Sequence, residues 1–137
     1  MDSCRPDDVV VCAAAGSSRA AVWGELLSMA ARNAGCVGAV VDGVIRDIAQ
    51  MAAMKFPVYA AGTSVYDAMH RIKVVDFDVD VELAGVRFQP GSIVVADADG
   101  VVVVPQGSRR GSDRQGLEEG PRRESRARFD RKGNESL

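Results

Sequence analysis

Apolar and polar positions alternate in two different ways along this chain. In the first half, short apolar runs are separated by segments of helical period. Residues 8–14 (DVVVCAA) follow a proline and an aspartate and read as a buried strand. Residues 15–19 (AGSSR) form a turn in which Ser17 or Ser18 can cap a helix. Residues 20–34 then read as a helix, with Val22, Leu26, Met29 and Ala30 on one face and Gly35 as its stop. Residues 37–41 have the character of a buried parallel strand, Asp42-Gly43 of a turn, residues 46–54 of a second helix and residues 57–60 of another short strand. This is the alternation of βαβ units. In the second half Val75, Phe77, Val79, Val81 and Leu83 alternate with Asp76, Asp78, Asp80 and Glu82, the period-two pattern of a half-exposed antiparallel strand. Ala84-Gly85 turns the chain. Residues 86–88, 92–96 and 100–104 follow as strands, with turns at 89–91 and 97–100. The reading is an α/β fold, with a βαβ half before an antiparallel β half.

Composition refines this picture. At 137 residues the chain has the length of one domain, and 47% hydrophobic with 5% aromatic residues predicts a core of small aliphatic side chains. Residues 106–137 hold nine Lys/Arg against six Asp/Glu, so this tail carries +3 and the rest of the chain −5. We therefore divide the chain into a domain over 1–105 and a charged tail over 106–137, with a terminal helix from about residue 121. Acids interleave with bases in the tail and its one aromatic is Phe129, which favours a solvated or partner-packed helix over a nucleic-acid arm. No apolar run reaches membrane-spanning length, and the acidic start MDSCRPDD lacks an apolar signal core, so the expected compartment is the cytoplasm. Cys4, Cys12 and Cys36 show no CxxC spacing and read as small thiols. His70, the one histidine, has no partner pattern, and the acids at 76–82 read as a solvated face.

The chemistry concentrates in residues 24–47, GELLSMAARNAGCVGAVVDGVIRD. One helix-plus-strand excursion separates Glu25 from Arg46 and Asp47, and such an excursion can return both ends to one edge of a sheet, where open α/β folds place their ligands. Two carboxylates and an arginine converging there suit a small anionic substrate and a hard metal ion. Taken singly, Glu25 is a first-turn acid that favours the helix dipole. Likewise, Arg46-Asp47 alone is a local ion pair worth about 0–1 kcal/mol.

The same stretch resembles the carboxylate–X20–Arg–Asp motif of the 4-hydroxy-4-methyl-2-oxoglutarate aldolase and regulator-of-ribonuclease-activity family. FPVYAAG at 56–62, AGVRFQPGSIVVADADGVVVVP at 84–105 and, more faintly, RRESRARFDRKGNESL at the end also resemble it. The resemblance implies a swivelling β/β/α domain, a homotrimer or hexamer with sites between subunits, and a class II pyruvate aldolase or oxaloacetate decarboxylase dependent on Mg2+, Mn2+ or another divalent cation. It implies substrate binding by Gly24, Glu25, Leu26, Leu27 and Arg46, catalysis by Glu25 and Arg46, a metal at Asp47, and a further acid, Glu124, from a neighbouring subunit. It also implies an alternative role, binding and inhibiting a ribonuclease, and an inactive fragment stands as a third reading. Three features depart from the family's pattern. Glu25 stands where the aldolases carry aspartate. Elements that precede Arg5 in the family are not in this chain, so the domain is expected to be incomplete at its N-terminus. The Arg-rich segment after Pro105 differs from the usual terminal helix. Without those elements, the strands at 9–13 and 101–104 are expected to lack cover.

Overall fold

A computed structural model describes Met1 and residues 3–108. The chain forms β1 (Val9–Ser17), α1 (Glu25–Asn33), β2 (Gly38–Ile45), α2 (Ile48–Ala53), β3 (Val58–Thr63), β4 (Val81–Leu83), β5 (Val86–Phe88), β6 (Ile93–Asp97) and β7 (Gly100–Val104), then a short 3-10 turn at Gln106–Ser108. Strands β1, β2 and β3 make a parallel sheet with β2 in the centre. β4 pairs antiparallel with β5, and β6 with β7.

Strand β2 has a core on each side. Every residue in it except Asp42 is buried. Ala39, Val41 and Ile45 join Trp23, Ala31, Cys36, Met51 and Phe56 in one cluster, and Val40 joins Leu83 and Phe88 in the other. Alternate side chains of a strand point to opposite faces. One face is therefore covered by the helices and the other by the hairpins, which gives the β/β/α layering. Val9, Val11, Val94, Val101 and Val103 pack against the hairpin-side cluster. This corrects the expectation that 9–13 and 101–104 lack cover: Val9, Val11, Val101 and Val103 are partly buried against Val40, Leu83 and Phe88. The outward side chains Ile93, Val95 and Val102 stay exposed.

Three further boundaries differ from the sequence reading. Residues 20–24 are not helical. The Ala21 amide donates to the Tyr66 carbonyl at 2.8 Å, the Val22 amide to Val44 at 3.0 Å, and Trp23 bridges Ile45 in parallel. These bonds to the end of β2 and to the loop after β3 hold the segment extended, so neither Ser17 nor Ser18 caps α1. Ser17 ends β1, and Gly24 precedes the helix. The face expected to be buried is also wrong: Leu26 is 74% exposed and Met29 is exposed, while Ser28 and Ala31 face the core.

Asp42-Gly43 does not turn the chain but lies within β2. A Cβ on Gly43 would lie 3.0 Å from the Ala14 Cβ and 3.3 Å from the Ser17 carbonyl, so this glycine permits close strand approach. The Asp42 carboxylate accepts the Gly16 amide at 3.0 Å. The long strand expected over 75–83 shrinks to Val81–Leu83. Asp78 sits at φ 58°, and the Asp76 carboxylate takes the Phe77 amide at 2.9 Å. Such local bonds compete with a ladder that has no partner strand there. The expected stop of α1 holds: Gly35 has φ 92°, its amide donates to Arg32, and the Cys36 amide donates to Ala31, a Schellman closure.

Burial, then the Cys4 thiol beside it, raises the Cys36 thiol from its ordinary value of 9.0 to about 11. The folded state thus holds this proton over a window in which the unfolded chain has lost it. Unfolded chains bind fewer protons there, so stability falls as pH rises from about 9 to about 11. Chemical denaturation across that window should show this loss in the parent chain and a flatter profile in Cys36→Ala.

Candidate active site

The extended segment before α1 runs beside the end of β2 and brings the two ends of the motif together. The Arg46 amide donates to the Trp23 carbonyl at 3.0 Å, and the Glu25 amide donates to Asp47 Oδ2 at 3.1 Å. Arg46 Nε lies 3.6 Å from the same oxygen, with both side chains partly exposed. The convergence expected for Glu25, Arg46 and Asp47 is therefore present at the backbone and at the Asp47 carboxylate.

Each element has a local cause. Gly24 has no side chain to cap α1, so the first-turn amides, apart from that of Glu25, are left to solvent or a ligand. Glycine is required there by space: a Cβ would lie 2.6 Å from Asp47 Oδ2 and 3.1 Å from Arg46 Cγ. Asp47 has φ 60°, a left-handed conformation that aspartate tolerates better than most residues. This bend separates β2 from α2, and the Met51 amide then donates to the Asp47 carbonyl. Leu26, Leu27 and Ile48, exposed beside these groups, give the site an apolar rim.

Among the described residues, no three His, Cys, Asp or Glu side chains cluster as a metal cage. Asp47 Oδ1 accepts no hydrogen bond among them. One carboxylate with a free oxygen fits a magnesium-type ion that keeps most of its waters, and does not fit a site built wholly from protein ligands. Glu124 lies outside the described residues. His70 is exposed, as are Asp76, Asp78, Asp80 and Glu82, with Asp80 held by Arg87 and Gln89.

Sequence reasoning missed the part played by Trp23 and Ser28. The indole Nε1 donates to Ser28 Oγ at 2.7 Å in a buried position directly behind Gly24 and Glu25. No signal in the pattern could have found it, because residues 20–34 read as one helix with Leu26 on its apolar face. A separate cavity of about 290 Å3, lined by Val40, Tyr59, Leu83 and Phe88 among others, opens on the hairpin-covered face. It includes none of Glu25, Arg46 or Asp47, and its one carboxylate, Asp42, already accepts the Gly16 amide.

A family model described as RraA-like (Aldolase/RraA) matches residues 1–103. The chain belongs to the RraA-like family. A Halalkalibacterium halodurans protein provisionally named 4-hydroxy-4-methyl-2-oxoglutarate aldolase is 37% identical over 107 residues, covering 78% of this chain and 50% of that protein. A solved Streptomyces coelicolor structure, described as an unusual member of the RNase ES inhibitor RraA protein family, is 36% identical with a TM-score of 0.70. It covers 78% of this chain and 55% of that one. An uncharacterised Pseudomonas syringae structure is 31% identical with a TM-score of 0.76, over 79% of this chain and 54% of that one. The RraA-like chain described here spans about half the length of the curated relatives it matches. No helix among its described residues is long and apolar enough to cross a membrane.

The close approach at Gly24 can be tested by substitution. Gly24→Ala should destabilise the fold by about 1–3 kcal/mol, as overpacking does. The same change made in an Asp47→Ala background should cost less, because the nearest opposing atom is gone. Denaturant melts of the two single variants and the double variant measure that coupling.

Proposed function

We propose that this RraA-like chain serves a divalent-metal-dependent lyase that releases pyruvate from 4-hydroxy-4-methyl-2-oxoglutarate-type oxo acids and from oxaloacetate. The observation that carries this reading is the meeting of the Glu25 amide, Arg46 and Asp47 at one carboxylate oxygen. The aldolase name of the Halalkalibacterium relative supports the reaction class.

In this reading Arg46 binds the substrate carboxylate or 2-keto oxygen through charge-assisted hydrogen bonds. The Leu26 and Leu27 amides, at the positive end of α1, help to hold the carboxylate, with Gly24 leaving room for it. Asp47 holds Mg2+ or Mn2+ with water. When bound, the cation supplies Lewis-acid polarisation of the keto group. Breaking the C3–C4 bond sends the 4-hydroxyl proton to a base in the aldol case, or releases CO2 in the decarboxylation. Both leave the same three-carbon fragment, which takes a proton at C3. Glu25 positions the water that carries these protons, and its extra methylene relative to aspartate sets that water further from the backbone.

We also propose a homotrimer or hexamer. Its support is the exposed apolar side chains Leu26, Met29 and Ile48 beside the site and Ile93, Val95 and Val102 on the outer face of the β6–β7 hairpin. A neighbouring subunit would then wall the site, with Glu124 as its contribution. The second reading is a ribonuclease-binding regulator. The description of the Streptomyces relative favours it, and the −5 charge of residues 1–105 suits a basic partner surface.

Pyruvate release from oxaloacetate should require Mg2+, stop with excess chelator and vanish in Asp47→Ala. In Arg46→Ala, kcat/KM should fall about 10- to 100-fold, the value of one charged hydrogen-bonding partner. Full turnover in chelator would sink the metal role. Ribonuclease inhibition that survives Arg46→Ala, with no turnover in the parent chain, would favour the regulator. Sedimentation at micromolar concentration should show the assembly, and a monomer with full activity on dilution would overturn it.

A further inference from the structure

We propose that the buried hydrogen bond between Trp23 and Ser28 is the positioning pair of this site, fixing α1 in the one rotation that aims the Glu25 amide at Asp47. Its catalytic consequence rests on the lyase reading above. Its structural content does not.

Ser28 has no exposed surface and is the one buried polar residue among those described. Burying a hydroxyl is costly unless it is hydrogen-bonded, and so is burying an indole N–H. Here each satisfies the other at 2.7 Å. Packing alone would be served by apolar side chains of similar size at both positions. What the bond adds is direction. Ser28 lies one turn into α1, and its amide donates to the Gly24 carbonyl at 3.0 Å. Trp23 is held from the other side: its carbonyl accepts the Arg46 amide at 3.0 Å, and it bridges Ile45.

The ring of Trp23 is therefore tied to the helix and its backbone to the strand that ends in Arg46 and Asp47. One residue of helix corresponds to a rotation of about 100°. A free rotation of α1 by even part of that would carry the Glu25 amide away from the carboxylate 3.1 Å distant. On the exposed outer face of α1, Leu26 and Met29 meet no cover among the described residues, and the tie that Arg32 Nη1 makes to the Met54 carbonyl at 3.3 Å lies in the last turn, away from Glu25. At the end of the helix beside the site, rotational register comes from the buried face, where Ser28 and Ala31 are the buried residues. Of these, Ser28 alone makes a directional bond.

The test is a double-mutant cycle in the full chain with Ser28→Ala, Trp23→Phe and the combined variant. Four quantities are read: kcat and KM for pyruvate release from oxaloacetate with Mg2+, the melting temperature, and amide exchange at Glu25 and Arg46. Each single variant should lower kcat about 10- to 100-fold, the penalty of a small misplacement, with a smaller change in KM. The double variant should be no slower than the worse single, since both remove one bond. Amide protection at Glu25 and Arg46 should fall about tenfold while that of Val40 and Val41 in β2 is unchanged. Parent-like kcat and parent-like protection at Glu25 and Arg46, with only the melting temperature lowered, would reduce the bond to packing and overturn the proposal. Multiplicative losses in the double variant would overturn it as well. If the parent chain releases no pyruvate, the lyase reading fails and the exchange data alone decide the positioning role. Should Trp23→Phe fail to fold, Ser28→Ala, which keeps the ring, decides it by kcat and exchange.

Discussion

The site depends on a short segment that stays extended although its composition favours a helix. Ala20, Ala21 and Val22 continue the apolar period of α1 backwards, and nothing in the sequence forbids helix there. The end of β2 captures them instead, through Val22 to Val44 and Arg46 to Trp23. Had the helix begun at Ala20, the Glu25 amide would lie inside it and donate to the carbonyl four residues earlier. Because α1 starts at Glu25, that amide is an unclaimed first-turn donor and reaches Asp47. The strand-like capture, about one hydrogen bond per residue, therefore creates the anion-facing end of the helix and places it beside the arginine.

The capture in turn depends on β2 running past the end of β1, which stops at the Ser17–Gly43 pair, while β3 stays paired as far as Ile45. The ladder slips at the same point on both sides, between Ala13 and Ser17 against β1 and between Val41 and Val44 against β3. Gly43 sits at that slip, where a side chain would strike Ala14 and the Ser17 backbone. Asp42 is kept there by the Gly16 amide. A true turn at Asp42-Gly43 would have ended the strand before Val44 and Ile45, and the extended segment would have had nothing to pair with. The buried two-sided core around Ala39, Val40 and Val41 keeps the strand straight enough to carry Arg46 to the sheet edge.

Much of this was legible in the residues. Strands announced themselves as apolar runs, although β1, read as buried, is half-exposed and only β2 is buried; Gly35 announced the end of α1, and the helix-plus-strand spacing announced that Glu25 and Arg46-Asp47 would meet. The failures share one cause: local signals were outbid by pairing at a distance. Asp42-Gly43 has turn chemistry, yet a ladder on both sides overrides it. The apolar stripe of α1 has a helical period, yet Leu26 and Met29 face outward because the core contacts are made by Ser28 and Ala31. Residues 75–80 have perfect strand alternation but no neighbouring strand to bond with, and alternation without a partner does not make a strand. The tryptophan–serine bond was out of reach because it depends on the five-residue offset between an extended segment and a helix that the pattern had merged.

Three departures from locally favourable structure meet at the start of α1. Helix α1 begins without a side-chain cap, though a serine or aspartate at Gly24 would ordinarily add about 1 kcal/mol. Asp47 occupies a left-handed conformation, which for a residue other than glycine carries a cost. Leu26 and Ile48 expose aliphatic surface next to charged groups. Each is a small loss, and left-handed residues other than glycine also occur at Ala15, Lys55 and Ala84, so the conformation alone marks nothing. Here the geometry is specific: no side chain at 24, a carboxylate turned back toward the helix start at 47, and an arginine beside it. A side chain at 24 would strike Asp47 Oδ2, so the glycine that leaves α1 uncapped is what lets that oxygen take the Glu25 amide. The missing cap and the left-handed aspartate are therefore one arrangement, in which Asp47 supplies from across the sequence the acceptor that Gly24 lacks.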